Sequence, residues 1–403
     1  MFSLNKKLEL NLKACLESNP HNKYRVLIKY KRFKDNIVKK INSYKGEFIN
    51  IVESCNLICA RLNSFAIKRL IEYPEIEYIC FDEYLFLCGM SVSTANKVNL
   101  YDKDRNKITG KNIGIAIIDS GVYPHSDLTT PSNRIALFKD LVNNLNYPYD
   151  DNGHGTCVAG IIAGNGTKSD FIYKGLAYES LLYCYKAFDK HGKGFISDVF
   201  YAIELVSTDC LNHNIKVLCL PFELLNYNKF IQDNFNTLVS LVNSKNIVCV
   251  IPSGSNRNLD GSITGLALNN NCITVSGYDS TSNISSYIYS STGTMKKNSK
   301  PNLCAACVNI NSLNSDVNYI SEKDGHKLYP SKLETSYKTF TGTSLACAFI
   351  AGVCALIYEQ NENLTPKDIS SLLKVSCETL DLPRNQEGDG KVNLRLLLKW
   401  KVL

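Results

Sequence analysis

The sequence predicts an α/β fold with a mainly parallel central sheet, preceded by a small α+β domain. Over most of the 403 residues, short apolar runs alternate with amphipathic helical stretches, as expected for strands covered on both faces. The first 90 residues show the different order β-α-β-β-α-β. A polar stretch from Ser91 to Lys107 separates the two patterns. We therefore expect domains at residues 1–90 and 91–403.

The N-terminal domain is predicted from four strand-like and two helix-like segments. The strands are predicted at 24–30, 46–52, 56–62 and 77–82, and the helices at 34–43 and 64–73. This order is the ferredoxin-like unit. Residues 1–50 hold 12 of the 45 Lys and Arg but 4 of the 38 Asp and Glu, which leaves 33 against 34 for the rest. We interpret the excess as a solvated basic face and expect no nucleic-acid partner, with a nucleic-acid-binding module as the alternative.

The larger domain is predicted from a series of strands and helices. The strands are predicted at 113–118, 181–187, 215–220, 247–251 and 272–276, and the helices at 197–208, 230–244, 344–359 and 366–376. Pro366 begins the last helix, where the fixed backbone angle of proline suits the first turn. In such a sheet, ligands bind at the carboxyl ends of the strands. Residues that follow strands are therefore the candidates for chemistry.

Three short motifs carry the candidate catalytic side chains. Asp119 directly follows the first strand of this domain, and His154 lies between two glycines before a helix of small residues. Ser344 follows Gly342-Thr343 at the start of an apolar helix. Each motif alone has an ordinary explanation as a turn, an exposed histidine or a helix cap. Together, in this chain order, they supply an orienting acid, a base and a nucleophile.

With these motifs, the chain resembles the subtilase family of serine proteases (peptidase S8) over roughly residues 95–400. The resemblance implies a subtilisin-like three-layer fold and a serine endopeptidase that forms an acyl-enzyme intermediate. It also implies that Asp119 orients His154, that His154 acts as general base and then acid, and that Ser344 is the nucleophile. The implied partner is a peptide or protein substrate.

The substrate-binding residues that the resemblance implies depart in part from the family pattern. Gly192-Lys193-Gly194 matches the segment at which an extended peptide adds to the edge of the structure. Pro221-Phe222-Glu223 stands where the family carries Ser-Leu-Gly, in the other wall of the substrate cleft. The carboxylate of Glu223 would favour basic residues in the substrate.

The oxyanion-binding position also differs from the family pattern. The family carries an Asn after a buried strand, and gapless alignment places Ser255 there, whereas a shift of one residue places Asn256 there. These departures from the family pattern lie around the substrate rather than at Asp119, His154 and Ser344. They motivate an alternative function, a subtilase-fold pseudoprotease that binds peptides or a partner protease with little or no turnover.

The N-terminal domain is similar to the inhibitory propeptide of the family. The similarity implies that residues 84–88 occupy the active-site cleft and that cleavage falls between Leu87 and Ser91. The alternative is an unrelated small regulatory or binding domain.

The cysteine pattern and the apolar segments predict a cytoplasmic protein. The 16 cysteines show no zinc-finger spacing, and many lie within apolar runs. The N-terminus has no secretory signal, and we find no apolar run of about 18 residues, so no transmembrane helix or membrane partner is expected. We expect no cofactor or metal. Calcium sites are common in the family, but no acidic loop has clear ligand spacing, so no calcium site is assigned.

Overall fold

The computed structural model describes most of the chain. The described residues are 4–18, 22–52, 56–82, 90–96, 108–224, 228–294 and 300–399. The chain divides into two compact units, residues 1–87 and 88–403. This boundary lies before the predicted one at residue 90, because Met90 pairs with Ile310 of the second unit.

The N-terminal unit consists, in its described residues, of a four-stranded sheet and three α-helices. Its elements are α1 (Leu10–Ser18), β1 (Tyr24–Tyr30), α2 (Lys34–Ser43), β2 (Glu47–Val52), β3 (Leu57–Leu62), α3 (Ser64–Leu70) and β4 (Ile76–Phe81). The strand order is β2-β3-β1-β4, and all pairs are antiparallel. From β1 onward this is the predicted order. The prediction missed α1, although its buried residues Leu12 and Leu16 lie about one helical turn apart.

The core of the N-terminal unit follows from local periodicity. Along β1, alternate residues from Tyr24 to Tyr30 are buried, as the two-residue repeat of a strand requires. Helix α2 buries Ile37 and Ile41, which share one helical face. The side chain of Asn63 caps α3 by accepting the N–H of Ala66.

The second unit contains the larger sheet and most of the helices. Its described strands are β5 (Met90–Ser91), β6 (Gly114–Asp119), β7 (Ile135–Asp140), β8 (Leu181–Lys186), β9 (Ile215–Cys219), β10 (Val248–Pro252), β11 (Cys272–Asp279), β12 (Ser285–Ser286), β13 (Leu303–Ala306), β14 (Ile310–Leu313), β15 (Glu322–Lys323), β16 (His326–Lys327), β17 (Tyr337–Phe340), β18 (Cys377–Glu378) and β19 (Lys391–Val392). Its described helices are α4 (Val92–Ala95), α5 (Ser126–Thr129), α6 (His154–Ala163), α7 (Ile196–Asp209), α8 (Lys229–Asn243), α9 (Thr343–Gln360), α10 (Pro366–Val375), α11 (Arg384–Glu387) and α12 (Leu394–Lys399).

The large sheet is mainly parallel. Its strands lie in the order β18-β19-β13-β11-β10-β9-β6-β8-β7, and β12 pairs with β11. The pairs β11/β12 and β18/β19 are antiparallel, while the other described pairs of this sheet are parallel. The strands β6, β8 and β9 adjoin one another near the centre, so their carboxyl ends share one edge of the sheet.

Helices cover this sheet on both faces. On β6, Ile115 and Ile117 belong to a hydrophobic cluster that contains residues of α6 and α9. The intervening residues Ala116 and Ile118 belong to a second cluster, with residues of α7 and α8. Burying an Ile side chain stabilises the fold by roughly 1.5–3 kcal/mol. The predicted three-layer α/β arrangement is confirmed.

The expectation that no apolar segment is long enough to cross a membrane is wrong for α9. Among the described residues, this 18-residue helix is long and apolar enough to cross a membrane, judged by length and composition only. However, 83% of the helix is buried inside the protein. The helix packs against β9, β10 and β11. Its apolar composition therefore matches its place as the core helix of the second unit.

Candidate active site

Asp119 is the last residue of β6, the fully buried strand that lies between β8 and β9. The strand carries the side chain to the carboxyl edge of the sheet, where it is nearly buried. The N–H of Ser120 donates to Asp119 Oδ1 at 2.6 Å, which restrains the carboxylate. The predicted position of Asp119 directly after a buried run therefore corresponds to the end of a central strand.

His154 is the first residue of α6, and glycines determine how closely this helix approaches Asp119. A Cβ on Gly155 would stand 2.1 Å from the carbonyl oxygen of Gly121, and a Cβ on Gly121 would stand 2.2 Å from that of Tyr149. These separations are too short for any side chain. The glycines of the two motifs thus allow the backbone of α6 to pack against the loop that follows Asp119.

The imidazole of His154 bridges the other two candidate residues. His154 Nδ1 lies 2.8 and 2.9 Å from the two carboxylate oxygens of Asp119, and Nε2 lies 2.9 Å from Ser344 Oγ. Because a carboxylate only accepts hydrogen bonds, Nδ1 carries the proton and Nε2 is left to accept from the hydroxyl. The structure thus brings all three residues together in the order that general-base catalysis requires.

Two opposing effects act on the pKa of His154. Burial disfavours the charged imidazole, but the charge of Asp119, its hydrogen bond and the charge of Asp150 outweigh burial. The pKa is therefore raised above its usual value near 6.5. The protonated form, which arises whenever His154 accepts a proton, is stabilised at this position.

Ser344 is the second residue of α9, so its side chain lies at the N-terminal end of an 18-residue helix. The first N–H groups of a helix have no partner within the helix, and the helix dipole is positive at this end. Both features favour negative charge that develops beside Ser344 Oγ. Because α9 is almost wholly buried, the position of Ser344 is held by the core of the unit.

Asp150 organises the start of α6, a role that was not predicted from the sequence. Its buried carboxylate accepts the N–H of Gly153 at 2.8 Å, the N–H of Thr156 at 2.8 Å and the hydroxyl of Ser120 at 2.9 Å. It therefore links the loop after Asp119 to the helix that begins at His154. The available signal was an Asp just upstream of a helix start, where a carboxylate satisfies unpaired N–H groups.

Lys186 is a second buried charge whose role was not predicted from the sequence. Its Nζ donates to Asp151 Oδ1 at 2.6 Å and to the carbonyls of Ser120 and Phe188 at 2.5 and 2.9 Å. The ammonium thereby ties the end of β8 to the loop after Asp119. In the sequence, this buried charge is indicated only by a lysine at the end of an apolar strand. That position does not identify the distant residues that Lys186 contacts.

Gly192-Lys193-Gly194, predicted as a substrate-binding edge, forms one side of a tight hairpin. Phe188 and Gly194 face each other as an antiparallel bridge, and the N–H of Asp189 donates to the carbonyl of Lys193 at 2.9 Å. The side-chain amide of Asn152 donates to the carbonyl of Lys190 at 3.1 Å. All three predicted residues are exposed, and the hairpin lies beside the loop that leads into His154.

Pro221 and Phe222, predicted in the opposite wall, follow β9. Pro221 is buried, and the ring of Phe222 lies 5.1 Å from that of Phe188. Phe222 therefore contacts the hairpin that carries Gly192-Lys193-Gly194. The two predicted substrate-binding segments meet through this aromatic pair.

The two candidate oxyanion residues have different surroundings. The N–H and hydroxyl of Ser255 both donate to the carboxylate of Glu223. The side-chain amide of Asn256 instead donates to the carbonyl of Ser262 at 3.4 Å and the hydroxyl of Thr264 at 3.5 Å. Asn256 is therefore bonded within its own loop. The contact between Ser255 and Glu223 was not expected from the sequence.

The described residues contain no group of three or more His, Cys, Asp or Glu side chains that could hold a metal ion. The calcium site that the family resemblance raises therefore has no assigned ligands in this part of the chain.

Comparisons with known proteins agree on one family. The family model described as "Subtilase family" matches residues 110–394. Serine protease AprX of Bacillus subtilis (strain 168) is 34% identical over 302 residues, which are 71% of this chain and 66% of AprX. Subtilisin-like protease 1 of Plasmodium berghei (strain Anka) is 26% identical over 365 residues, 90% of this chain and 56% of that protein. The chain thus spans less than two thirds of the length of these relatives.

Two solved structures share the fold at low sequence identity. Sphericase superimposes with a TM-score of 0.58 at 20% identity, covering 73% of this chain and 91% of its own. Fervidolysin from Fervidobacterium pennivorans, described as a keratinolytic enzyme related to subtilisin, gives a TM-score of 0.60 at 18% identity, covering 94% of this chain and 61% of its own.

Proposed function

Because this chain belongs to the subtilase family, we propose that it is a serine endopeptidase whose catalytic triad is Asp119, His154 and Ser344. One observation carries the proposal: His154 joins the Asp119 carboxylate through Nδ1 at 2.8 Å and the Ser344 hydroxyl through Nε2 at 2.9 Å. A serine hydroxyl is a poor nucleophile without an adjacent base, and this arrangement supplies one.

The geometry supports acylation followed by hydrolysis. Ser344 Oγ attacks the scissile carbonyl while His154 Nε2 takes its proton, and Asp119 stabilises the resulting imidazolium. His154 then gives that proton to the leaving amine, and the bond between the carbonyl carbon and the amine nitrogen breaks. A water attacks the acyl-enzyme, again losing its proton to His154, and the proton returns to Ser344 Oγ as the acid product leaves.

Three residues are proposed to supply donors for the oxyanion. The N–H of Ser344, at the positive end of α9, faces no competing partner within its helix. Ser255 offers a hydroxyl and an N–H once they separate from Glu223. Asn256 is the weaker of the two side-chain candidates, because its amide is bonded within its own loop. Loss of one such donor typically lowers turnover by about 10²–10³-fold.

Substrate binding is proposed between the two segments that flank this site. Gly192-Lys193-Gly194 would pair with an extended peptide through backbone hydrogen bonds, with Pro221-Phe222-Glu223 as the opposite wall. The partner is then a peptide or protein substrate. These roles rest on the exposure of Gly192-Lys193-Gly194, on the partial exposure of Phe222 and Glu223, and on the contact between the rings of Phe222 and Phe188.

The N-terminal unit is proposed to be an inhibitory propeptide. Its support is that residues 1–87 form a compact unit with the β-α-β-β-α-β order. The segment proposed to occupy the cleft, residues 84–88, and most of the proposed cleavage interval from Leu87 to Ser91 lie outside the described residues.

Expression of the wild type and of Ser344→Ala tests the function and the maturation together. We expect a fluorophosphonate probe to label only the wild type, and intact masses to show a cut near residues 87–91 only there. Probe labelling with an uncut chain would reject the maturation step alone.

A pseudoprotease is the second candidate, favoured by the contact of Glu223 with Ser255. In this arrangement a carboxylate occupies both donors of a candidate oxyanion residue. Absence of labelling and of cleavage, together with peptide binding, would support this function over the endopeptidase.

We also propose a reducing, cytoplasmic location. No disulfide joins the cysteines of the described residues, and burial raises the pKa of thiols such as Cys157 and Cys184. Alkylation of denatured protein from its native cells, without prior reduction, should modify all 16 cysteines. Fewer adducts would indicate an oxidising compartment.

A further inference from the structure

Glu223 and Ser255 join two loops that follow neighbouring strands on the edge of the sheet that carries the triad. Glu223 follows β9 and Ser255 follows β10, and these strands are adjacent and parallel. The N–H of Ser255 donates to Glu223 Oε2 at 2.8 Å, and the Ser255 hydroxyl donates to Oε1. One carboxylate therefore occupies both donors of Ser255.

This carboxylate is linked to the nucleophile through a short chain of contacts. A Cβ on Gly254 would stand 2.7 Å from Glu223 Oε2, so the carboxylate rests against the backbone of Gly254. The carbonyl of Gly254 accepts the hydroxyl of Thr343 at 3.3 Å, and Thr343 directly precedes Ser344. When the carbonyl of a substrate residue reaches Ser344, we expect the side chain of that same residue to lie near Glu223.

The negative charge of Glu223 has no cationic partner in the described part of the chain, where the ion pairs involve other carboxylates. Ser255 is exposed and Glu223 is partly exposed, so a ligand can reach both. When a substrate displaces water from this region, a carboxylate without a cation is costly, whereas a cationic side chain offsets that cost.

We propose that Glu223 is a specificity-determining residue that selects Lys or Arg at the substrate residue whose carbonyl Ser344 attacks. The inference rests on the proposed protease function and names its substrate class. A cationic side chain draws Glu223 away from Ser255 and leaves both Ser255 donors available to the oxyanion. A neutral side chain leaves the carboxylate in place, where it competes for the donors and repels the developing negative charge. The cation therefore raises kcat as well as affinity.

Two peptides that differ only at this residue, Lys against norleucine, test the proposal with the full chain. We expect the wild-type kcat/KM to favour the Lys peptide by about tenfold or more, the scale of one charge-assisted hydrogen bond. Glu223→Gln keeps the size but removes the charge, so the ratio should fall close to one. Glu223→Asp should restore much of it. The matched control is Glu204→Gln on the exposed face of α7, which should keep the wild-type ratio.

The kcat values of Ser255→Ala for the two peptides test the same proposal without relying on the folding of Glu223→Gln. It removes a donor that is available only when a cation holds Glu223, so it should lower kcat for the Lys peptide by a larger factor than for the norleucine peptide. An equal loss for both peptides would contradict the release of Ser255.

Peptide binding to Ser344→Ala separates failure of this inference from failure of the protease function. If the wild type neither cleaves nor reacts with the probe, tighter binding of the Lys peptide that Glu223→Gln abolishes still supports selection by Glu223. If the enzyme cleaves both peptides equally, or the Lys preference survives Glu223→Gln, the inference is overturned. Equal binding of both peptides by Ser344→Ala of an inactive protein overturns it as well.

Discussion

Asp150 accepts both the backbone N–H and the hydroxyl of Thr156 on a single carboxylate oxygen, at 2.8 and 2.6 Å. The other oxygen accepts the hydroxyl of Ser120 and the N–H of Gly153. This buried carboxylate therefore holds the first turn of α6, and with it the backbone of His154, against the loop after Asp119.

Asp150→Asn should destabilise the protein and misplace His154. An amide offers one acceptor oxygen, and its NH₂ group would face donors, so we expect a loss of about 2–3 kcal/mol in the free energy of unfolding. Urea denaturation in the Ser344→Ala background, which prevents self-digestion, measures this loss. Asp233→Asn on the exposed face of α8 is the control. Equal stability of both variants would show that Asp150 does not hold the helix start.

The pH dependence of activity should report the raised pKa of His154. The imidazole acts as a base only when neutral, so kcat/KM should fall as the pH drops through a pKa above 6.5. Asp119→Asn removes the charge that raises this pKa, so the acid limb should move to lower pH while the rate falls by about 10⁴-fold. His125, whose pKa burial lowers, cannot produce a limb above 6.5. A wild-type acid limb well below 6.5 would contradict the assignment.

The raised pKa of His154 also predicts how the stability of the protein depends on pH. Because the folded pKa of His154 lies above the unfolded value, its protonation contributes stability that is fully present below the unfolded pKa and is lost as the pH rises through the folded pKa. The difference in the free energy of unfolding between Ser344→Ala and the double variant Asp119→Asn/Ser344→Ala should therefore shrink as the pH rises. A difference independent of pH would argue against this coupling.

Gly155→Ala should abolish most activity through backbone displacement alone. Its Cβ would stand 2.1 Å from the carbonyl oxygen of Gly121, so the start of α6 must move away from Asp119. A displacement of about 1 Å can lower the rate by about 10²-fold. Gly325→Ala is the control for kcat/KM measurements, because its new Cβ has no neighbour within 4 Å and the backbone strain from its φ of +78° arises in the turn between β15 and β16. Wild-type activity of Gly155→Ala would show that the close approach is dispensable.

Lys186→Met should destabilise the second unit by about 3–5 kcal/mol. The substitution leaves the Asp151 carboxylate and two carbonyl oxygens without the ammonium that they now share. Thermal unfolding of the Ser344→Ala background measures the loss, and Lys229→Met at the exposed start of α8 is the control. A near-neutral effect of Lys186→Met would indicate that water replaces the ammonium.

Local patterns in the sequence were sufficient for the fold class and the family. Strand β1 and helix α2 were predicted with their observed bounds, because alternation and four-residue spacing are properties of neighbouring residues. The predicted membership of the subtilase family is confirmed, since its motifs are contiguous stretches around Asp119, His154 and Ser344. Strands such as β7 and β13 were missed, because β7 is mostly only half-buried and β13 is four residues long, so their pairing partners define them.

The sequence by itself determined which residues are available for chemistry: a hydroxyl, an imidazole and a carboxylate, each in a glycine-rich or strand-end setting. Only the tertiary structure decided which polar and charged groups face one another. Asp150 meets Thr156 and Ser120, Lys186 meets Asp151, and Glu223 meets Ser255 across two loops. The physical reason is that hydrogen bonds and charge interactions act over a few ångströms in space, whereas sequence periodicity reports only neighbours along the chain. The parallel sheet sets those distances by bringing the ends of separate strands to one edge.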